Sequence, residues 1–140
     1  MFFFQIPALP EALARRGNWR MMAQAVAGSS APGAFTPEDL ALYRAAWGQP
    51  GAMTAMMNWY RAAIQQPFRL PGDAHVEVPV LILWGARDRF LGRELAQLSL
   101  DLCRRGKLVF LEEATHWVHR EAPDQVNALI EGFLKERESG

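Results

Sequence analysis

Cysteine occurs once in this sequence, at Cys103. A single thiol excludes an intrachain disulfide framework and fits a reducing cytoplasm. Charge of one sign is in no surplus either: 15 Lys and Arg stand against 15 Asp and Glu. Nothing electrostatic therefore directs the chain to nucleic acid or to an anionic membrane. Long hydrophobic runs are missing too, since no stretch approaches the roughly 20 apolar residues of a membrane span. The opening MFFF is apolar, but it lacks a basic flank and is too short for a signal peptide. There is no internal repeat and no low-complexity tract. What remains is a globular composition, with 50% hydrophobic residues, 5 Trp and 8 Phe among 140. A chain of this length buries roughly two-thirds of its unfolded surface when it folds as one complete domain.

The stretch that organises the sequence is VPVLILWGARD, from Val78 to Asp88. Its apolar run Val80–Trp84 does not alternate, as a strand facing water on one side would, so it reads as a parallel strand buried on both faces. Gly85 ends the strand and leaves Ala86, Arg87 and Asp88 in the loop at its carboxyl end. In open α/β sheets that edge carries the ligands and the chemistry. A second strand, Lys107–Leu111, runs into the loop EEATHW, which carries His116. A carboxylate and a histidine on two such loops, in that order, form the second half of an acid–base relay.

The first half of the chain reads as helical. Pro10 and Glu11 open a helix that extends to about Ala27, weakened at Gly17 and Asn18. Gly28–Phe35 reads as a loop. Thr36, Pro37, Glu38 and Asp39 form a strong helix start, with Thr as cap, Pro at the first position and acids in the first turn. That helix runs to Trp47, and GQPG ends it. A third helix covers Ala52–Gln65, with Met53, Met56, Met57, Tyr60 and Ile64 on one stripe. Three consecutive Phe at the start must pack somewhere, because together they would be costly exposed surface. Pro67–Glu77 reads as a connector, after which the pattern becomes strand, helix (Gly92–Cys103), strand, and a last helix from Pro123. That helix carries Val126, Leu129, Ile130, Phe133 and Leu134 on one face. Strand–helix–strand with so short a crossover implies a right-handed parallel pair. Two parallel strands need cover and neighbours. The expectation is therefore the back end of a larger sheet, or a sheet that a partner completes.

WGARD at 84–88, ATHW at 114–117, NWYR at 58–61 and FFFQIP at 2–7 together resemble the C-terminal half of an α/β-hydrolase, and most nearly an epoxide hydrolase with its helical cap. The resemblance covers the whole chain. It implies an α/β class with an incomplete α/β-hydrolase fold: a helical cap segment over 1–76, then the last part of the parallel core over 77–140. It assigns Asp88 as the triad acid and His116 as the base that activates water. Tyr60 becomes one of two cap tyrosines that donate to the epoxide oxygen. The order, acid before histidine, is that of the family. The family's nucleophile and its backbone oxyanion hole belong upstream of the cap, and no residue here matches them; the second cap tyrosine has no match in residues 1–10. The sequence thus resembles a member cut off within its cap, inactive alone.

No metal and no organic cofactor is implied. His116 and His119 form an H-x-x-H pair, but no third ligand is evident. The expected partners are a small apolar substrate and either the missing N-terminal half or a second copy of the chain, with neither nucleic acid nor a membrane. Trp117, Phe4 and Met57 are the candidate substrate contacts. By pattern alone, each site residue also has a plain structural reading: Asp88 as a turn residue, His116 as a loop histidine, Tyr60 and the methionines as core. Two rival functions remain. One keeps the fold and changes the chemistry, to haloalkane or fluoroacetate dehalogenation or a serine esterase; the other is a non-catalytic remnant or partner-binding subunit.

Overall fold

The structure is a computed structural model that describes residues 2–66, 72 and 74–138. It divides the chain into two compact units: Met1–Gly28 with Phe35–Leu70, and Ser29–Ala34 with Pro71–Gly140. The connector expected over Pro67–Glu77 lies largely outside the described residues.

The first unit is helical. A short 3-10 turn, Phe2–Gln5, precedes α1 (Leu9–Gly28), α2 (Pro37–Trp47) and α3 (Ala52–Gln65). The start of α2 follows from local chemistry. The Thr36 hydroxyl accepts the Asp39 amide at 3.1 Å, and the Asp39 carboxylate accepts the Thr36 amide at 2.9 Å, so two donors that the helix leaves unpaired are satisfied reciprocally. α1 is weakened where the sequence suggests, but more severely: Gly17, Asn18 and Trp19 have φ of 59°, 53° and 63°. Only the glycine adopts that region without steric cost. The reversal delivers the Trp19 indole to a core of Ala14, Trp19, Ala23, Trp47, Met53 and Met57.

The stripe on α3 is buried only in part. Met53 and Met57 are buried, whereas Met56, Tyr60 and Ile64 are exposed. At about 100° per residue Tyr60 and Ile64 fall on the same face as Met53 and Met57, so the difference runs along the helix axis: the buried residues of α3 lie in its first half. Tyr60 therefore does not follow Met53 and Met57 inward. Of the three opening phenylalanines only Phe4 packs against the core, while Phe2 and Phe3 remain exposed.

The second unit contains β1 (Val80–Gly85), α4 (Arg93–Asp101), β2 (Gly106–Leu111), α5 (Val118–Glu121) and α6 (Pro123–Glu138). The strands pair in parallel from Val80 opposite Gly106 to Gly85 opposite Leu111. β1 is half-buried along its apolar run rather than buried on both faces. Among the described residues its ladder has a partner on one edge only, so fewer layers cover it than a central strand would have. The core is Leu111, Ala114 and Val126, backed by Leu83, Val118, Ala122 and Leu129. On α6 the expected apolar face is only partly used: Val126 is buried, Ile130 and Leu134 are exposed.

Candidate active site

The loops that leave β1 and β2 at their carboxyl ends are joined through the backbone. The Ala86 amide donates to the Leu111 carbonyl at 3.0 Å, and the Arg87 amide to the Ala114 carbonyl at 2.9 Å. A β-carbon at Gly85 would collide with the Thr115 carbonyl and come within 2.8 Å of the Ala114 oxygen. Only glycine lets the second loop lie this close to the first strand.

This arrangement brings Asp88 and His116 together. Asp88 Oδ1 accepts the Phe90 and Leu91 amides at 2.8 and 3.1 Å, which fixes the carboxylate in its own turn. Its Oδ2 meets His116 Nδ1 at 2.8 Å. The Asp88 side chain is 6% exposed and that of His116 36%. Burial pushes the Asp88 carboxyl up, but the hydrogen bonds from His116 and from the two amides outweigh it and hold the group below the usual aspartate value. The carboxylate is thus ionised at neutral pH, and Nδ1 carries the proton it receives. With Nδ1 as the donor, the lone pair of a neutral imidazole lies on Nε2, which has no hydrogen-bond partner among the described residues. Phe90 and Trp117 stand edge-on to the imidazole, with ring centroids 5.3 and 5.4 Å away.

A second carboxylate, unassigned by the sequence reading, lies in the same unit. Glu121 Oε1 accepts the Thr115 hydroxyl at 2.5 Å and the Ala31 amide at 2.8 Å, and Oε2 accepts the Thr115 amide at 2.5 Å. Trp117 Nε1 donates to Ser29 Oγ at 3.1 Å. Burial raises the Glu121 carboxyl, yet these donors outweigh it and hold the group below the usual glutamate value. The signal available in the sequence is a carboxylate five residues beyond His116, but the single turn α5 that presents it is too short for its periodicity to show.

Tyr60 belongs to the first unit. Its ring lies 5.1 Å from that of Phe4, and its hydroxyl makes no hydrogen bond among the described residues. Together with Met56, Trp59 and Ala63 it lines an open apolar depression of about 510 Å³. Met57 faces the core and is 8% exposed. Arg61, the last residue of NWYR, donates through Nε to the Phe4 carbonyl at 2.8 Å and through one terminal nitrogen to Glu11 at 2.8 Å. Among the described residues no three His, Cys, Asp or Glu gather as a metal site, and no helix is long and apolar enough to cross a membrane.

A sequence profile described as "Alpha/beta hydrolase family" matches residues 1–129. The AB hydrolase superfamily protein YfhM of Bacillus subtilis is 42% identical over 133 residues, which are 95% of this chain and 46% of that protein. Epoxide hydrolase 2 of Caenorhabditis elegans is 34% identical over 142 residues, covering 97% and 39%. The crystal structure of an epoxide hydrolase from Bacillus megaterium, 22% identical, shares the fold with a TM-score of 0.78 over 96% of this chain and 50% of that one. The chain spans less than half the length of the curated relatives it matches. The extent of the profile match, together with parallel strands that present a carboxylate and a histidine from successive carboxyl-end loops, leads to one assignment: the chain belongs to the alpha/beta hydrolase family.

Proposed function

We propose that this chain carries the acid–base pair of an epoxide hydrolase-like enzyme, which adds water to an epoxide through a covalent ester and releases a diol. The observation that supports this reading is the 2.8 Å contact between Asp88 and His116, with Nε2 of the ring left to accept a proton. In the proposed reaction a carboxylate nucleophile, supplied by sequence beyond these 140 residues or by a second polypeptide, attacks an epoxide carbon. The C–O bond breaks and the ring oxygen leaves as an alkoxide, which takes a proton from the Tyr60 hydroxyl. Water then attacks the ester carbonyl as His116 Nε2 removes its proton, and Asp88 stabilises the imidazolium that forms. Collapse of the tetrahedral intermediate breaks the ester C–O bond, and His116 returns its proton to the departing oxygen to free the diol. The proton left on the nucleophile's carboxyl passes to the Tyr60 oxygen, which restores the carboxylate and the phenol.

Tyr60 takes its role from the NWYR resemblance, and an unpartnered hydroxyl on an apolar surface supports it. Trp117 and Phe4 are proposed to contact the substrate, whereas Met57 packs in the core of its own unit. A small apolar epoxide suits such surroundings. The free thiol of Cys103 fits the cytoplasmic setting expected from composition.

Alone, the 140-residue chain is expected to turn over neither epoxides nor activated esters nor haloalkanes. In an intact protein that contains it, Tyr60→Phe should slow epoxide opening by roughly a hundredfold, as loss of one oxyanion donor does. Hydrolysis of an activated ester should be nearly unchanged, because its charge develops on the carbonyl oxygen instead. A parallel loss on both substrates, or a sharp drop in melting temperature, would make Tyr60 a structural residue and remove the epoxide reading's most specific support.

A further inference from the structure

We propose that Glu121 is a positioning residue for His116, holding the histidine loop to the segment Ser29–Ala34 so that Nδ1 stays in register with Asp88. The proposal rests on the reading of His116 as the base.

Thr115 immediately precedes His116, and Glu121 accepts both its amide and its hydroxyl, each at 2.5 Å. The same carboxylate accepts the Ala31 amide at 2.8 Å, so one side chain bridges two segments far apart in sequence. On the other flank of His116, the Trp117 indole donates to Ser29 Oγ at 3.1 Å. His116 is therefore bracketed, with the residue before it and the residue after it both fastened to Ser29–Ala34. Beneath the loop, Gly85 receives the Thr115 carbonyl with no room for a side chain. The Thr115 amide and hydroxyl are thus held by hydrogen bonds other than the Asp88–His116 contact, and its carbonyl packs against Gly85. That is the preorganisation a base needs if its partner is to be met without rearrangement. One carboxylate accepts all three donors, so the link from the Thr115 amide to Ala31 depends on one residue, although the Thr115 hydroxyl also lies 3.1 Å from the Ser29 carbonyl.

Replacing it by glutamine keeps the volume and removes the match. Each end of the carboxylate accepts a backbone N–H, Ala31 at one oxygen and Thr115 at the other. Whichever way a glutamine amide lies, its NH2 group faces an N–H. The mismatch frees one of the two segments, and either release loosens the loop that carries His116.

The test uses the 140-residue chain itself and needs no turnover. A hydrogen-bonded Nδ1–H of His116 gives a downfield proton resonance, identified by its loss in Asp88→Asn. In Glu121→Gln that resonance should vanish or broaden, and exchange of the Ala31 amide should quicken by roughly tenfold or more, as loss of a hydrogen bond to a charged group implies. The amides of Ile82, Leu83 and Val109 in the strands should stay protected. If Glu121→Gln does not fold, Thr115→Val and Thr115→Ser decide: loss of the resonance in the first and its retention in the second support the proposal. Retention of the native resonance in Glu121→Gln, or in Thr115→Val, overturns the proposal and leaves the Asp88–His116 pair standing. Absence of the resonance from the unsubstituted chain overturns that pairing and the positioning role with it.

Discussion

Each of the two units takes a glutamate out of full contact with solvent, Glu11 buried in the first and Glu121 half-buried in the second, and they are compensated in opposite ways. In the first, Glu11 is neutralised by a cation. Arg61 donates to its Oε1, and the same guanidinium also reaches the Phe4 and Ile6 carbonyls and Asn58. The Arg61 hydrogen bond holds the Glu11 carboxyl below its usual value against the opposing effect of burial, while Oε2 is buried with no partner among the described residues. In the second unit two amides and a hydroxyl share the charge of Glu121. A charge held by one cation fails all at once, whereas a charge held by several neutral donors fails in parts. The first arrangement suits a scaffold, here the attachment of the N-terminal turn to α3. The second suits a loop whose position must be set finely.

That contrast is broken most forcefully at Arg61. Arg61→Met should destabilise the protein by about 3 kcal/mol or more, because it strands a buried carboxylate. The double variant Arg61→Met with Glu11→Gln should recover a large part of the loss in thermal or urea unfolding. A near-neutral single variant would mean that Glu11 is solvated in solution and that the comparison fails. Gly85→Ala should have a somewhat smaller effect, about 1–3 kcal/mol as for other overpacked sites. The added methyl meets the Thr115 backbone, which the Glu121 bonds to its amide and hydroxyl keep from yielding. Its signature should be local: perturbed His116 and Thr115 resonances, with α1–α3 unaffected. Changes spread equally over both units would count against a rigid histidine loop.

Acid should produce the smallest and most graded effect. Asp88, Glu121 and Glu11 all have folded-state values below their ordinary ones of 3.8, 4.5 and 4.5. Groups depressed on folding contribute stability that is fully present above the ordinary value and is lost as pH falls through the depressed one. Stability should therefore be flat with respect to these groups above about pH 5 and decline below about pH 4. Glu121→Gln and Glu11→Gln should each flatten that decline, and an unchanged acid limb in both would show that neither carboxyl is perturbed by folding.

Much of this molecule is legible in its sequence where the cause is local. Thr36 and Pro37 announce the start of α2, and Gly48 follows its last residue, so the expected and observed ends agree. The bounds of α3 also match, and the β1 and β2 runs lie within two residues of their observed starts. Asp88 and His116 could be paired because both follow strands at the same edge of a parallel sheet. The Glu11–Arg61 and Glu121–Ala31 contacts could not, since their partners lie 50 and 90 residues apart and nothing local marks them. The sequence marks the reversal at Gly17–Trp19 only as a weakness in the helix, because Gly17 and Asn18 take left-handed geometry readily but nothing local predicts it at Trp19, whose indole is buried. The methionine stripe misled for a related reason: periodicity gives a face, but the edge of that face is set by whatever packs there, here Phe4 against Tyr60.

The central claim is that Asp88 serves His116 in the hydrolysis of a covalent ester. The most direct measurement is mass spectrometry of Asp88→Asn in the intact protein, quenched during turnover of an epoxide. The ester-linked adduct should accumulate to near stoichiometry while steady-state turnover falls on the order of ten-thousandfold, as when a triad acid is converted to its amide. Turnover at the unsubstituted rate, or a loss of turnover without any adduct, would contradict the account.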